Sequence, residues 1–375
     1  MDRAEHARPA RAGDRGQVAR SSRQRFPRQP GEAGGLDEIR IQPQRRGAFH
    51  HHAGQVCRQP RHQQRVVHAA AADQQAGAVG GWRIASNQLG RGRYAAVSSI
   101  QDGVALWDLN SNALTYQWRH QDSSDNLVFS LAISNNNSHV LTADANTYAL
   151  WRISDGANQG YFKLDTATVR DVAVSNDGKH LLVGKSDGGV QHITLQSGRR
   201  LEFLGHTERV NSVAMSPNGR YALTGANDYK AHLWDTQSAQ IIYSFSHPSR
   251  VTKVALDPQG RYAFTADSQD LAQIWDIQSG QLVSKLQFIA RQQVFSAVQF
   301  SADGKYLATG APTRKLALWE VASGKELQHW QVSVRPDSRP PSAVVHAVGF
   351  IGNNKLISES SSGIAEVWEI KHDTK

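Results

Sequence analysis

Six tryptophans close one recurring apolar strand, at Trp107, Trp151, Trp234, Trp275, Trp319 and Trp368, in the contexts ALWDL, ALWRI, HLWDT, QIWDI, ALWEV and EVWEI. A seventh copy, VQHITL, carries Ile193 in the tryptophan place. The steps along the seven positions are 44, 42, 41, 41, 44 and 49 residues. A fixed period of this size leaves few folds open. A unit of about forty residues cannot bury its own apolar face, so the units must stack or close into a ring. Function then belongs to the assembled surface rather than to any one unit.

The copy around Trp234 shows what a unit contains. Val210, Val213 and Met215 mark a first strand, followed by the turn Ser216-Pro217-Asn218-Gly219. Tyr221 to Gly225, Lys230 to Thr236 and Gln240 to Phe245 read as three more strands of an antiparallel meander. Asn and Gly accept the positive φ a tight hairpin needs. The turn recurs at Ser175 to Gly178, Asp257 to Gly260 and Ser301 to Gly304. First strands repeat the apolar spacing in six copies, from Val128, Leu131 and Ile133 to Val345, Val348 and Phe350. No helical periodicity competes with this pattern.

With its Trp-Asp and Trp-Glu strand ends, the Gly205-His206 pair and the Ser-Pro-Asn-Gly type turns, the chain from about Gly92 to the C-terminus resembles the WD-repeat (WD40) β-propeller family, and its loosened repeats and cysteine-free body resemble bacterial WD-repeat proteins in particular. The resemblance implies an all-β, seven-bladed propeller of four-stranded antiparallel blades around a central channel. It also implies a hydrogen-bonded relay within a blade, which blade four matches with His206, Thr224, Asp228 and Trp234. Blade five keeps His247, Thr265 and Trp275 but has Gln269 in the acid's place, and blade three keeps Asp187 alone. Such a relay holds a blade together, so substituting His206 or Asp228 is expected to lower thermal stability.

The pattern breaks at the N-terminus. By register the first strand of blade one needs apolar residues at 83, 86 and 88, and the chain has Arg83, Ser86 and Gln88. Composition changes at the same place. Residues 1–80 hold fourteen arginines, no lysine and seven acidic residues, so they carry +7 of the chain's +9, leaving +2 for the rest. Residues 1–91 are therefore set apart as an irregular Arg/Gln-rich basic extension, either disordered or non-native, and residues 92–375 as the propeller. Only five residues follow Ile370. The sequence thus appoints too few strands to complete both blade one and blade seven, and an open strand edge is expected.

No phosphate loop, zinc spacing or nucleophile elbow occurs. Cys57 is the single cysteine, and His50, His51 and His52 form a solvated cluster without a further ligand at useful spacing. Ser98, Ser99 and Ser358 to Ser362 have no base beside them in the pattern and read as structural hydroxyls. No catalytic residue, metal or cofactor is expected. The reading is a non-catalytic scaffold that binds other proteins through the propeller rim. Phe129, Arg170, Arg209 and Arg250 are its candidate contacts, because arginine and aromatic side chains favour interfaces. Two alternatives stay open: a propeller enzyme or small-ligand binder at the channel mouth, and nucleic-acid binding through the basic arm. No transmembrane segment is read. The compartment is undetermined: cytoplasmic by default, periplasmic or lipid-anchored with a different N-terminus.

Overall fold

In blades two to six the turn between the first two strands is bonded by its own leading side chain. In blade four Ser216 donates its N–H to Tyr221 O at 2.9 Å, and its hydroxyl accepts Tyr221 N–H at 2.8 Å. Gly219 sits at φ 70°, in the left-handed region that costs a Cβ-bearing residue energy. Asn137 takes the same role at φ 58° in blade two, where the sequence offers no glycine.

The computed structural model describes the backbone of residues 66–67 and 83–85, and residues 93–99, 103–111, 113–120, 128–288, 294–335, 339 and 341–371. All of them lie in the second of two units, Arg61–Lys375. The expectations for Cys57, for His50 to His52 and for most of residues 1–91 fall outside the described residues. No helix among the described residues is long and apolar enough to cross a membrane.

The strands form seven four-stranded antiparallel sheets. Blade four is Val210–Met215, Tyr221–Ala226, Lys230–Asp235 and Gln240–Ser246, in that spatial order. Blades two, three, five and six repeat the plan in uninterrupted chain order. The innermost strands of blades two to seven line a central cavity of about 200 Å³.

The core lies between blades. Among the described residues, buried apolar side chains fall into clusters that each join two neighbours: one and two, two and three, and so on to six and seven. The repeat tryptophans are the pegs. Trp151 stacks on Trp118 of blade one with centroids 5.3 Å apart, Trp234 on Phe203 of blade three at 5.1 Å, and Trp275 on Phe245 of blade four at 4.3 Å. Close approach needs small residues opposite. A Cβ on Gly225 would stand 2.5 Å from Val251 Cγ1 and 2.9 Å from Val254 Cγ1 of blade five. Gly184 and Gly310 face the matching valine pairs of blades four and seven in the same way.

Ring closure differs from the expectation of an open edge. Arg83–Ala85 supplies the innermost strand of blade one, pairing with Tyr94–Ser99, and lies against the innermost strands of blades two and seven. Val66–Val67 adds the fourth strand of blade seven, pairing antiparallel with Ala365–Glu369. The other blades carry an apolar triplet in their innermost strand, and blade one does not. Three-residue and two-residue strands satisfy the ladder through backbone groups alone, which any residue provides.

Candidate functional site

The rim of the channel is shaped by a repeated irregularity. The innermost strands of blades three, four, five and seven each carry one extra residue after their first apolar position: Arg170, Asn211, Thr252 and His346. These are β-bulges, which lift a residue off the ladder and re-aim its side chain. The bulge residues do not all face a partner. Asn211 Nδ2 donates to Val251 O of blade five at 2.8 Å and to Asn227 Oδ1 at 2.8 Å. Ser296, at the matching place in blade six, donates its hydroxyl to Val345 O of blade seven. Part of this ring of positions therefore staples neighbouring blades.

The four candidate contacts fall into two kinds of place. Arg209 and Arg250 lie in the loops that lead from the outer strand of one blade to the inner strand of the next. Their carbonyls accept Asn227 N–H at 2.9 Å and Ser268 N–H at 3.0 Å. Arg250 is exposed; Arg209 is half-buried, its Nε on Asn211 Oδ1 at 3.2 Å. Arg170 is half-buried on its bulge. Phe129 is half-buried too, packed against the core between blades two and three.

Deeper in the channel Asp171 links three blades. It accepts the Ser130 hydroxyl of blade two at 2.9 Å on Oδ1 and the Val213 N–H of blade four at 2.9 Å on Oδ2. Nothing in the repeat pattern marked it. Its signal is only that an acid interrupts an apolar first strand.

Inside blade four His206 Nδ1 lies 2.9 Å from Asp228 Oδ2, and Nε2 lies 2.7 Å from Thr224 Oγ1, which also accepts the Trp234 indole N–H at 2.8 Å. His206 is buried, and burial pushes its pKa below the ordinary histidine value against the pull of Asp228. Blade two holds a second complete chain that the sequence reading missed. His120 meets Asp144 Oδ2 at 2.9 Å and Thr142 Oγ1 at 2.7 Å, and Trp151 donates to Thr142 at 2.9 Å. Burial would raise the Asp144 pKa. Hydrogen bonds from His120, Thr147 and the backbone outweigh it and hold the carboxyl at about 2. The acid stands two residues after the threonine there, not four as in blade four. Blade five follows blade two: His247 faces Asp267 at 3.5 Å, and Gln269, read as the acid's replacement, is exposed.

Two of the serines read as structural are engaged in bonds within the fold: Ser98 donates to Val128 O, and Ser358 accepts the Trp368 indole N–H at 2.8 Å. Among the described residues one trio of metal-ligand side chains lies together, His206, Asp228 and His232.

A family model described as WD domain, G-beta repeat matches residues 198–235 and 239–276, the outer strand of blade three with most of blade four, and then the outer strand of blade four with most of blade five. No curated protein matches the chain.

Proposed function

The chain is a WD40-repeat β-propeller, and from that premise we propose that it is a non-catalytic scaffold that grips other proteins through the rim of its channel. Propellers of this family commonly serve as protein-interaction platforms. The observation that carries the reading is the bulge repeated at one register position in four blades. Bulges are kept where a side chain must be re-aimed, and here they ring one opening. Arg170, Arg209 and Arg250 give that rim three cations in consecutive blades, and Phe129 adds an aromatic edge. Guanidinium groups bind carboxylates in a two-toothed geometry, so a partner presenting an acidic segment fits best. The propeller carries this binding, and residues 1–60 are dispensable for it.

The test is affinity capture with the full chain, residues 61–375, and a full chain bearing Arg170→Glu, Arg209→Glu and Arg250→Glu, each with nuclease present. A protein retained by the first two and lost by the third, with the melting temperature unchanged, supports the proposal. A partner kept by the charge-reversed rim, or one that needs residues 1–60 and disappears with nuclease, overturns it and moves binding to the basic arm, where steep salt dependence should appear.

A further inference from the structure

We propose that His206, Asp228 and His232 form a binding site for a divalent transition-metal ion, with Zn²⁺ the ion that two imidazoles and one carboxylate suit best. Their donor atoms all lie within 4.8 Å of one another. The rings of His206 and His232 are 4.4 Å apart at 34°, and Asp228 Oδ2 is 2.9 Å from His206 Nδ1. The ligands come from three separate places: the loop entering blade four, the loop between its second and third strands, and the third strand itself.

His232 is the residue that the blade does not explain. It is 3% exposed, and neither ring nitrogen has a hydrogen-bond partner. The nearby Gly205 carbonyl favours a proton on the ring without meeting it in hydrogen-bond geometry. A buried polar group left in this state is destabilising. The repeat does not require it, because the same place holds Ala105, Ala149, Gln191, Gln273, Ala317 and Glu366 in the other blades. Blade two is an internal comparison. It builds the His–Asp–Thr–Trp chain with Ala149 at that place, so the relay stands without a third ligand.

The relay is also a suitable outer shell. In the tautomer with the proton on His206 Nδ1, that proton faces Asp228 and Nε2 accepts from the Thr224 hydroxyl. With an ion on Nδ1 the proton shifts to Nε2 and is donated to Thr224 Oγ1. The threonine hydroxyl then turns to the His232 carbonyl, 3.5 Å away. The reversal itself shifts only protons within the relay, and none is released. Donors about 2.0–2.2 Å from Zn²⁺ sit somewhat more than 3 Å apart in a tetrahedron, so the Asp228 carboxylate must retreat from His206 by a few tenths of an ångström, and donors as much as 4.8 Å apart must close by roughly an ångström. Backbone N–H groups of Thr207 and Lys230, each 3.1 Å from it, steer that carboxylate. Three protein ligands leave the fourth position to water. In the sequence His206 and Asp228 stand as relay residues and His232 carries no motif of its own, which is why no metal is expected there.

The experiment uses the full chain with His50→Ala, His51→Ala and His52→Ala, which removes the other histidine cluster, after dialysis against chelator. Zn²⁺ is titrated by calorimetry, and melts are recorded with Zn²⁺ and with Mg²⁺ as control. The expected result is one Zn²⁺ per chain and a melting temperature raised by Zn²⁺ alone. His232→Ala should keep the metal-free melting temperature and bind Zn²⁺ at least about tenfold more weakly, the loss expected even of an outer-shell partner. Asp228→Asn gives a second reading if His232→Ala does not fold, with the same weakening expected. Absence of Zn²⁺ binding in the parent chain, or binding unchanged in the folded variant, overturns the site.

Discussion

His192 stands in blade three at 3% exposure with neither nitrogen hydrogen-bonded, stacked between His180 at 5.3 Å and Phe203 at 5.9 Å. Burial, and then the charges of His180 and Arg199, hold its pKa down to about 4 from 6.5. Above pH 6.5 both folded and unfolded chains carry it neutral, and stability is independent of its titration. Between 6.5 and about 4 only the unfolded chain takes up the proton, so stability falls as pH falls. The loss reaches about 3 kcal/mol at most. His192→Phe should flatten that part of the curve of melting temperature against pH, measured from pH 7 to 5. An unchanged slope would assign the acid sensitivity to other groups. Residues like this one explain what the sequence hides. His206, Thr224, Asp228 and Trp234 were legible because they stand at family spacing. Asp144 was not, since a carboxylate two residues nearer the threonine reaches the equivalent histidine of its own blade, His120, by a different loop path. His232 was invisible because its meaning lies in a missing bond.

At the level of the strand, the meander and its turns could be read directly, as alternation and turn residues are local properties. What joins one blade to the next could not. Gly225 looks in sequence like an ordinary small residue in a strand, yet its bare Cα face receives Val251 and Val254 of the next blade. Gly225→Val should force the two blades apart and cost about 1–3 kcal/mol, as overpacking does. Val254→Ala in the same chain should return part of that loss, as a double-mutant cycle of thermal or urea unfolding would show. Additive losses would place the strain elsewhere. The bulges follow the same logic. A bulge shows only once two strands are paired, and the stapling by Asn211 and Ser296 depends on the neighbouring blade.

The ring as a whole depends on two short strands from a stretch whose composition gave no sign of them. The sequence lacks an apolar triplet at 83, 86 and 88, so its side chains do not announce the strand. Pairing by backbone alone escapes any reading of side chains. Removing residues 1–60 should leave the melting temperature in place. Removing residues 1–68 strips Val66–Val67 from Ala365–Glu369 and should lower it and favour self-association through the bared edge; melts and light scattering on the two truncations measure this. Equal behaviour would mean that blade seven holds without its fourth strand. The register also sets an order of events. Val66 pairs with Glu366, 300 residues later in the chain. At a ribosomal rate of about 5–20 residues per second, on the order of 15–60 seconds separate the synthesis of one half of the clasp from that of the other. Through that interval the early segment waits without its mate while six blades emerge, so the nascent protein is most exposed to wrong pairings, and to chaperones, just before its last strand arrives.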